Sequence, residues 1–301
     1  FDGFASLSYG SKGTTDLRGA VGGGLTDELS ARVSVLRQGR DGYIDNVAPG
    51  FEQNDVLGGY TDQAARIQFL YEGDNFNALF NYHMRDLDGK PITFYANAFK
   101  PASNALVSDF ERDIVTNDSA SRATQQVETQ GASLKLEFDL GDYMITSVTG
   151  YESAEIYSRA DVDGGYGAVF TDVFGPGAIT ISSETADGIP DHSQFTQELR
   201  LTSSFDGKFN YQAGLFYYSE DLTIDSFAYD ALFSGGAQTG RVVQKQDTTA
   251  WAVFASFDYD YSEVTSLTLG LRYSDDEKDY SSERFQAPLG FLGQPETAYG
   301  E

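Results

Sequence analysis

The sequence predicts an all-β fold: an antiparallel, up-and-down transmembrane barrel wall of about eleven strands, with short turns at one end and long loops at the other. Three observations predict it. Amphipathic runs of period two recur along the chain, tight turns alternate with long polar connections, and aromatic residues gather beside the tight turns. In a meander every second connection lies on the same side, so the short turns share one end and the long loops the other. That asymmetry marks an outer-membrane barrel, with short periplasmic turns and long extracellular loops.

The elements follow in order. Residues 5–9 and 15–22 are the first runs, joined by Gly10-Ser11-Lys12-Gly13, which shares letters with a phosphate loop but lacks its spacing and following helix, and so reads as a turn. The tight turn 25–28 leads into 29–35. Ile67, Phe69 and Tyr71 alternate with Arg66, Gln68 and Glu72, and the turn 72–75 leads to 76–85. Leu134, Leu136 and Phe138 alternate with Lys135, Glu137 and Asp139; the turn 140–142 then opens 143–157, where Met144 and Val148 spoil the alternation. Phe195, Leu199 and Leu201 face away from Thr196, Glu198, Arg200 and Thr202, and the turn 205–208 closes a hairpin onto 209–217. The run 251–259 and the turn 261–264 precede Leu267, Leu269, Leu271 and Tyr273, which alternate with Thr268, Gly270, Arg272 and Ser274. Side chains two apart share a face of a strand, so each set defines one apolar and one polar face. Between the tight turns lie connections of roughly twenty to forty residues, well above ordinary hairpin length.

Aromatic residues flank four of the five tight turns: Tyr71 and Phe76, Phe138 and Tyr143, Phe205 and Phe209, Tyr259 and Tyr261. Rings at that level form an interfacial girdle. The turn 25–28 lacks them. A β-sandwich also buries one face of each strand, but its strands are usually about five or six residues long, and several runs here exceed ten.

Composition narrows the function classes. With 46 acidic and 20 basic residues the formal charge is −26, which opposes a nucleic-acid surface. No cysteine is present, so disulfide frameworks, thiolate metal sites and cysteine nucleophiles are excluded. No apolar run approaches the ~20 residues of a spanning helix. An odd strand count does not close a bacterial single-chain barrel, and the chain opens on Phe1 and stops on Glu301 in a polar stretch. Residues 1–301 therefore read as one partial barrel domain.

Gln194 to Ser204, the Asp206-Gly207 turn and Tyr211-Gln212-Ala213-Gly214-Leu215-Phe216-Tyr217 resemble the middle barrel of TonB-dependent outer-membrane receptors. So do Trp251 to Phe257 with Leu267 to Tyr273 and Asp275 to Lys278, while Ser8 to Ser11, Leu29 to Val33 and Asp41 to Asn46 resemble the first barrel strands after the plug. The resemblance implies a roughly 22-stranded, plugged barrel of which this chain is the first half. It implies an integral protein of the bacterial outer membrane that contacts its lipid. It further implies energised uptake of a scarce solute, most often a ferric siderophore, coupled to the inner-membrane TonB complex through an N-terminal part. No plug and no coupling box occur in these residues. A passive porin is the alternative, and a barrel adhesin or enzyme a more distant one.

The resemblance and the alternation together nominate two residue sets. Arg32, Arg66, Gln68, Lys135, Glu137, Glu198, Arg200 and Arg272 are expected to face the lumen, as a solute path or as contacts to a plug. Arg40, Tyr43, Phe94, Tyr95, Phe99, Arg112, Tyr166, Phe170, Phe174, Tyr229, Phe233 and Arg241 are expected in the extracellular loops, where rings and guanidinium groups offer ligand contact. No cofactor, metal site or nucleic-acid partner is expected. Asp161-Val162-Asp163-Gly164 lacks the later ligands of a calcium loop and reads as solvated. Only His83 and His192 are available for acid–base work, and Asp191-His192-Ser193 cannot form a triad along one strand, so no catalytic residue is assigned.

Overall fold

The structure, a computed structural model, describes residues 1–48, 57–91, 94–95, 98–100, 102–117, 119–162, 164, 168–170, 177–179, 183–230 and 238–286. In chain order the strands are β1 (Asp2–Tyr9), β2 (Thr15–Gly24), β3 (Leu29–Arg40), β4 (Asp45–Asn46), β5 (Tyr60–Glu72), β6 (Phe76–Gly89) and β7 (Ile114–Val115). There follow β8 (Thr124–Asp139), β9 (Tyr143–Asp161), β10 (Ala168–Phe170), β11 (Gly177–Ile179), β12 (Ser183–Ser203), β13 (Phe209–Asp230), β14 (Gln238–Ser262) and β15 (Thr265–Gln286). Eleven of them make one sheet in the order β1-β2-β3-β5-β6-β8-β9-β12-β13-β14-β15, so each long strand pairs with its predecessor and successor. Short β4 pairs in parallel with β7, and β10 antiparallel with β11, both within long connections.

Each expected run lies inside one of the eleven strands, and the five tight turns join them at one end. Gly73 N–H donates to the Phe76 carbonyl at 2.9 Å and Leu140 N–H to that of Tyr143 at 2.8 Å. In the 205–208 turn the Asn210 side chain takes the Phe205 N–H at 2.8 Å and donates back to its carbonyl at 3.2 Å. The turn 25–28, without a ring of its own, is capped from the next strand but one: Tyr71 Oη donates to Glu28 at 2.8 Å.

The strands lengthen along the chain, from 8 residues in β1 to 22 in β13 and 25 in β14. A membrane crossing needs only about 9–11. This corrects the last expected long connection. β13 and β14 stay paired from Phe209↔Tyr259 to Tyr229↔Gln238, so Tyr229 and Arg241 are strand residues and not loop residues. Arg40 likewise ends β3. Past the apolar band the rule that puts apolar residues on one fixed face lapses, although the backbone ladder continues.

Among the described residues, the packed clusters of buried hydrophobic side chains lie at the long-loop end. Ile44, Leu57, Val115, Ala120 and Ala123 form a small core beneath Tyr43 and Tyr95. Asn46 ties it together: its amide donates to the Asn117 carbonyl at 2.7 Å and its Oδ1 accepts the Asn117 N–H at 2.8 Å. The described residues of segments 41–59 and 90–123 are thereby one lobe.

Candidate functional site

Directly paired residues of an antiparallel ladder share a face, which lets the register assign the wall. One row runs Arg32, Gln68, Asn81, Ser133, Gly150, Thr196. The next runs Ser34, Arg66, His83, Gly131, Glu152, Gln194, Glu220. Two more carry Lys135, Val148, Glu198, Phe216 and Glu137, Thr146, Arg200, Gly214, Phe254, Arg272. All eight nominated wall residues therefore lie on one face. Val148, which blurred the alternation of its run, stands on that face between Lys135 and Glu198.

Most charges of this face are paired within it. Lys135 Nζ meets Glu137 at 2.7 Å, and Arg200 binds Glu198. Arg85 grips Asp62 with two bonds of 2.9 Å. His83 reaches Glu152 at 3.1 Å and His192 reaches Glu220 at 3.2 Å. Arg272 lies over the rings of Phe216 and Phe254, 5.7 Å from each centroid. Phe254 in turn covers Gly214, where a Cβ would sit 2.3 Å from its ring. Arg32 and Arg66, with Gln68 between them, have no ion-pair partner among the described residues, and the same holds on this face for Lys278 and Arg284 of β15.

The opposite face is apolar and bounded by rings at both ends. Near the tight turns Tyr71, Phe76 and Phe138 follow one another at centroid distances of 5.8 and 4.7 Å. Tyr143, Phe205, Tyr211, Phe209 and Phe257 continue the series at 5.4–6.2 Å. A second belt, not apparent in the sequence, holds Tyr151 and Phe195 as register partners, Tyr217 at 6.2 Å from Phe195, and Trp251 at 5.6 Å from Tyr273. From Tyr143 to Tyr151, and from Trp251 to Tyr259, is eight residues; that is about 27 Å along a strand and roughly 20 Å at barrel tilt, close to the apolar band of a membrane barrel. Leu199, Leu215, Val253, Leu269 and Leu271 lie between the belts, exposed. Polar Ser147, Thr149 and Gln197 interrupt the band but satisfy one another: Thr149 donates to Gln197 Oε1 at 2.6 Å, and Gln197 Nε2 to Ser147 at 3.0 Å.

The loop candidates separate into committed and available groups. Arg40 donates twice to the Gly58 carbonyl, at 3.0 and 2.7 Å, and stacks on Tyr43 and Tyr60. Tyr43 also carries Lys12 over its ring at 4.4 Å. Tyr95 donates to the Arg112 carbonyl at 2.6 Å and meets Phe110 edge-on, and its burial pushes the phenol pKa up. Tyr229 is buried beneath Arg159, 3.7 Å from the guanidinium. Arg241 binds Asp225 at 2.7 and 3.1 Å, which raises the arginine pKa further. That pair adjoins a cluster in which buried Glu184 takes Arg159 at 2.8 Å and Arg122 at 2.9 Å. Phe94, Phe99 and Arg112 remain exposed, all within the 90–123 segment. Phe170 lies on β10. Tyr166, Phe174 and Phe233 lie outside the described residues, as does Asp163 of the acidic tetrad; Asp161 accepts the Gly164 N–H at 2.9 Å. His192 sits beside a bulge in β12, with its partner Glu220 on β13.

Two cavities stand out among the described residues. The larger, about 800 Å³, lies on the apolar face where the band gives way to Arg37, Asp86, Glu128 and Glu155. Ala64 and Ala65 line it, so it lies beside the backbone of Arg66, whose side chain belongs to the opposite face. The smaller, about 310 Å³, is inside the lobe, lined by Tyr95, Val107, Asp109, Phe110 and Glu111 among others.

An antiparallel meander with one polar face, one ring-bounded apolar face and all tight turns at one end is the wall of an outer-membrane β-barrel. Solved uptake receptors carry this fold. The ferric yersiniabactin uptake receptor FyuA from Yersinia pestis superposes with a TM-score of 0.65 at 15% identity, over 96% of this chain and 40% of that one. The ferric-catecholate import receptor Fiu from E. coli K12, in its open form, gives 0.62 at 17% identity, over 99% and 48%. BauA, the ferric preacinetobactin receptor from Acinetobacter baumannii, gives 0.63 at 14%, over 94% and 44%. The chain thus spans less than half the length of each. No family model and no curated protein matches the sequence.

Proposed function

We propose that this chain is part of the barrel of a TonB-dependent receptor in the bacterial outer membrane, which captures a ferric siderophore at its long-loop end for energised uptake. The observation that carries the reading is the pair of aromatic belts about one membrane thickness apart, on a fold shared with three siderophore receptors. The polar face then lines the lumen, and the exposed Arg32, Arg66 and Gln68 patch is the docking place for a plug segment elsewhere in the protein. Coupling to the inner-membrane TonB complex belongs to that same segment. We read the protein as a transporter and not an enzyme. The lobe of 41–59 and 90–123, with Phe94, Phe99 and Arg112 accessible, is the first contact for a ligand.

The test is deletion of the complete gene, followed by uptake of radiolabelled iron from a panel of ferric chelates under iron limitation. The expected result is loss of uptake for one chelate class, restored by the gene in trans and abolished by a protonophore. Uptake that persists in de-energised cells overturns the reading in favour of passive diffusion.

A further inference from the structure

We propose that an aliphatic collar lines the mouth of the lumen and holds a hydrocarbon chain of the ligand, so that the preferred solute is a ferric chelate bearing such a chain and not an aryl chelate. The inference rests on the receptor reading above and names the ligand class for it. It is carried by an exchange of character between the two faces of the wall. Above the second aromatic belt the outward face bears Asp86, Glu128, Glu155, Asp191 and Asp221, all exposed. The inward positions that alternate with them are aliphatic. Leu87 pairs with Val127, Val127 with Ile156, and Ile156 with Ile189. Across the bulge of β12, Ile224 continues the row on β13, with Leu222 two places before it. Direction follows from the ladder: Leu87 is two residues beyond Arg85 and four beyond His83, and so shares their face.

Lipid does not account for this row, because the row faces inward and lies beyond the belt. Packing among the described residues does not account for it either: Leu87, Val127, Ile189, Leu222 and Ile224 are partly exposed and belong to neither packed cluster. The nearer cluster, Tyr157 with Ala186, Phe227 and Tyr229, stands on the outward face of the same strands. Apolar area left facing water in the path of a solute favours any apolar group that covers it. Just below the row, the charges on its strands are already paired: Arg85 with Asp62, His83 with Glu152 and His192 with Glu220. No ring stands in the row, so an aryl group finds nothing to stack on, whereas a chain gains with each methylene covered. Four interstrand steps of about 4.8 Å make the row roughly 19 Å long, room for a short chain laid across the strands.

The experiment measures energised uptake by the complete receptor in the deletion strain, with radiolabelled iron on two forms of one linear ferric trihydroxamate. One form is N-acetylated and the other N-hexanoylated at the terminal amine. The hexanoyl form is expected to reach half-maximal uptake at a concentration about tenfold lower, well within the gain from four added methylenes. In Val127→Thr/Ile224→Thr, which keeps the branching of both side chains, the two forms are expected to agree within about twofold, the acetyl form being unchanged. Glu128→Gln, on the outward face of the same strand, is expected to keep the full difference. Equal half-saturation in the unaltered receptor overturns the inference. A difference that survives the double substitution also overturns it, since the collar is then covered by protein and the chain-length effect is partition into the bilayer. Where the double variant fails to assemble, Val127→Thr alone is expected to shrink the difference to about threefold, and full retention overturns the inference. Uptake of neither form, while an unacylated ferric catecholate is taken up, overturns it and leaves the receptor reading standing. If deletion abolishes uptake of no ferric chelate, the receptor reading itself has failed.

Discussion

Leu199 and Arg200 are neighbours on β12 that set the two faces of the wall against each other. Leu199 lies opposite Ser147 and Leu215 on the apolar face, 45% exposed. It is four residues from Phe195 of the second belt, about 13 Å along the strand, which puts it toward the middle of the band. Leu199→Arg carries a guanidinium to that depth, where an outward-facing charge costs about 2–4 kcal/mol. Arg200 lies opposite Thr146 and Gly214 on the polar face and pairs with Glu198. Their side chains are 38% and 26% exposed, so the pair is solvent-screened and Arg200→Leu costs about 0–1 kcal/mol. Urea-driven unfolding in phosphatidylcholine vesicles separates the two: Leu199→Arg shifts the midpoint down by the larger amount at unchanged slope. Equal midpoints would refute the assignment of faces, because a wall with water on both sides does not distinguish these substitutions.

Three further outcomes follow from particular contacts. Trp251 is the chain's single tryptophan and sits in the second belt; bromine placed near the lipid headgroups is expected to quench it more than bromine near the acyl-chain ends, and a maximum at the bilayer centre would remove that belt. Gly58 has φ +81°, and a Cβ there would lie 2.7 Å from the Tyr43 ring. Gly58→Ala is expected to cost about 1–2 kcal/mol in backbone strain and to speed proteolysis in segment 41–59; an unchanged cleavage rate counts against the packed lobe. Glu184→Ala strips the carboxylate from Arg159, whose side chain is 12% exposed against 1% for Glu184. Breaking such a buried pair costs about 3–5 kcal/mol, to be read as faster amide exchange in the upper parts of β9 and β12, and unaltered protection there would show that the cluster does not hold those strands.

The wall was legible in the sequence because the apolar band imposes a rule residue by residue. Leu267, Leu269, Leu271 and Tyr273 must face one way and Arg272 the other, and the register agrees. Above the band that rule lapses. On β13 the alternation changes phase: Asp221, Thr223 and Asp225 lie on the face that Leu215 and Tyr217 occupy lower down, with Leu222 and Ile224 on the other, so a ladder that continues to Tyr229 reads as a loop. Pairing between distant segments is equally silent in sequence: nothing in Asn46 announces Asn117, 71 residues away, nor does Glu184 announce Arg122 and Arg159. Their effect on the candidate ligand residues was therefore invisible. Tyr229 and Arg241 have the chemistry of a binding surface but are consumed by the buried cluster, whereas Phe94 and Phe99 are left exposed.

The same subtraction applies to the polar face. A charge that already has a partner in the wall gains little from a second, because only the surplus over an existing interaction drives association. Lys135 with Glu137, Arg200 with Glu198 and Arg85 with Asp62 are self-contained, and Arg272 is held between rings. What remains is the adjacent pair Arg32 and Arg66, toward the β1 side of the sheet, and Lys278 with Arg284 at its other edge on β15. On the proposed receptor reading, a carboxylate-bearing segment inside the barrel is expected to settle against β3 and β5, the strands that end at Arg40 and begin at Tyr60. On that reading Arg66→Glu is expected to speed release of the inner segment from the complete receptor. Measured release of that segment at equal rate in the variant and the unaltered receptor would refute that placement.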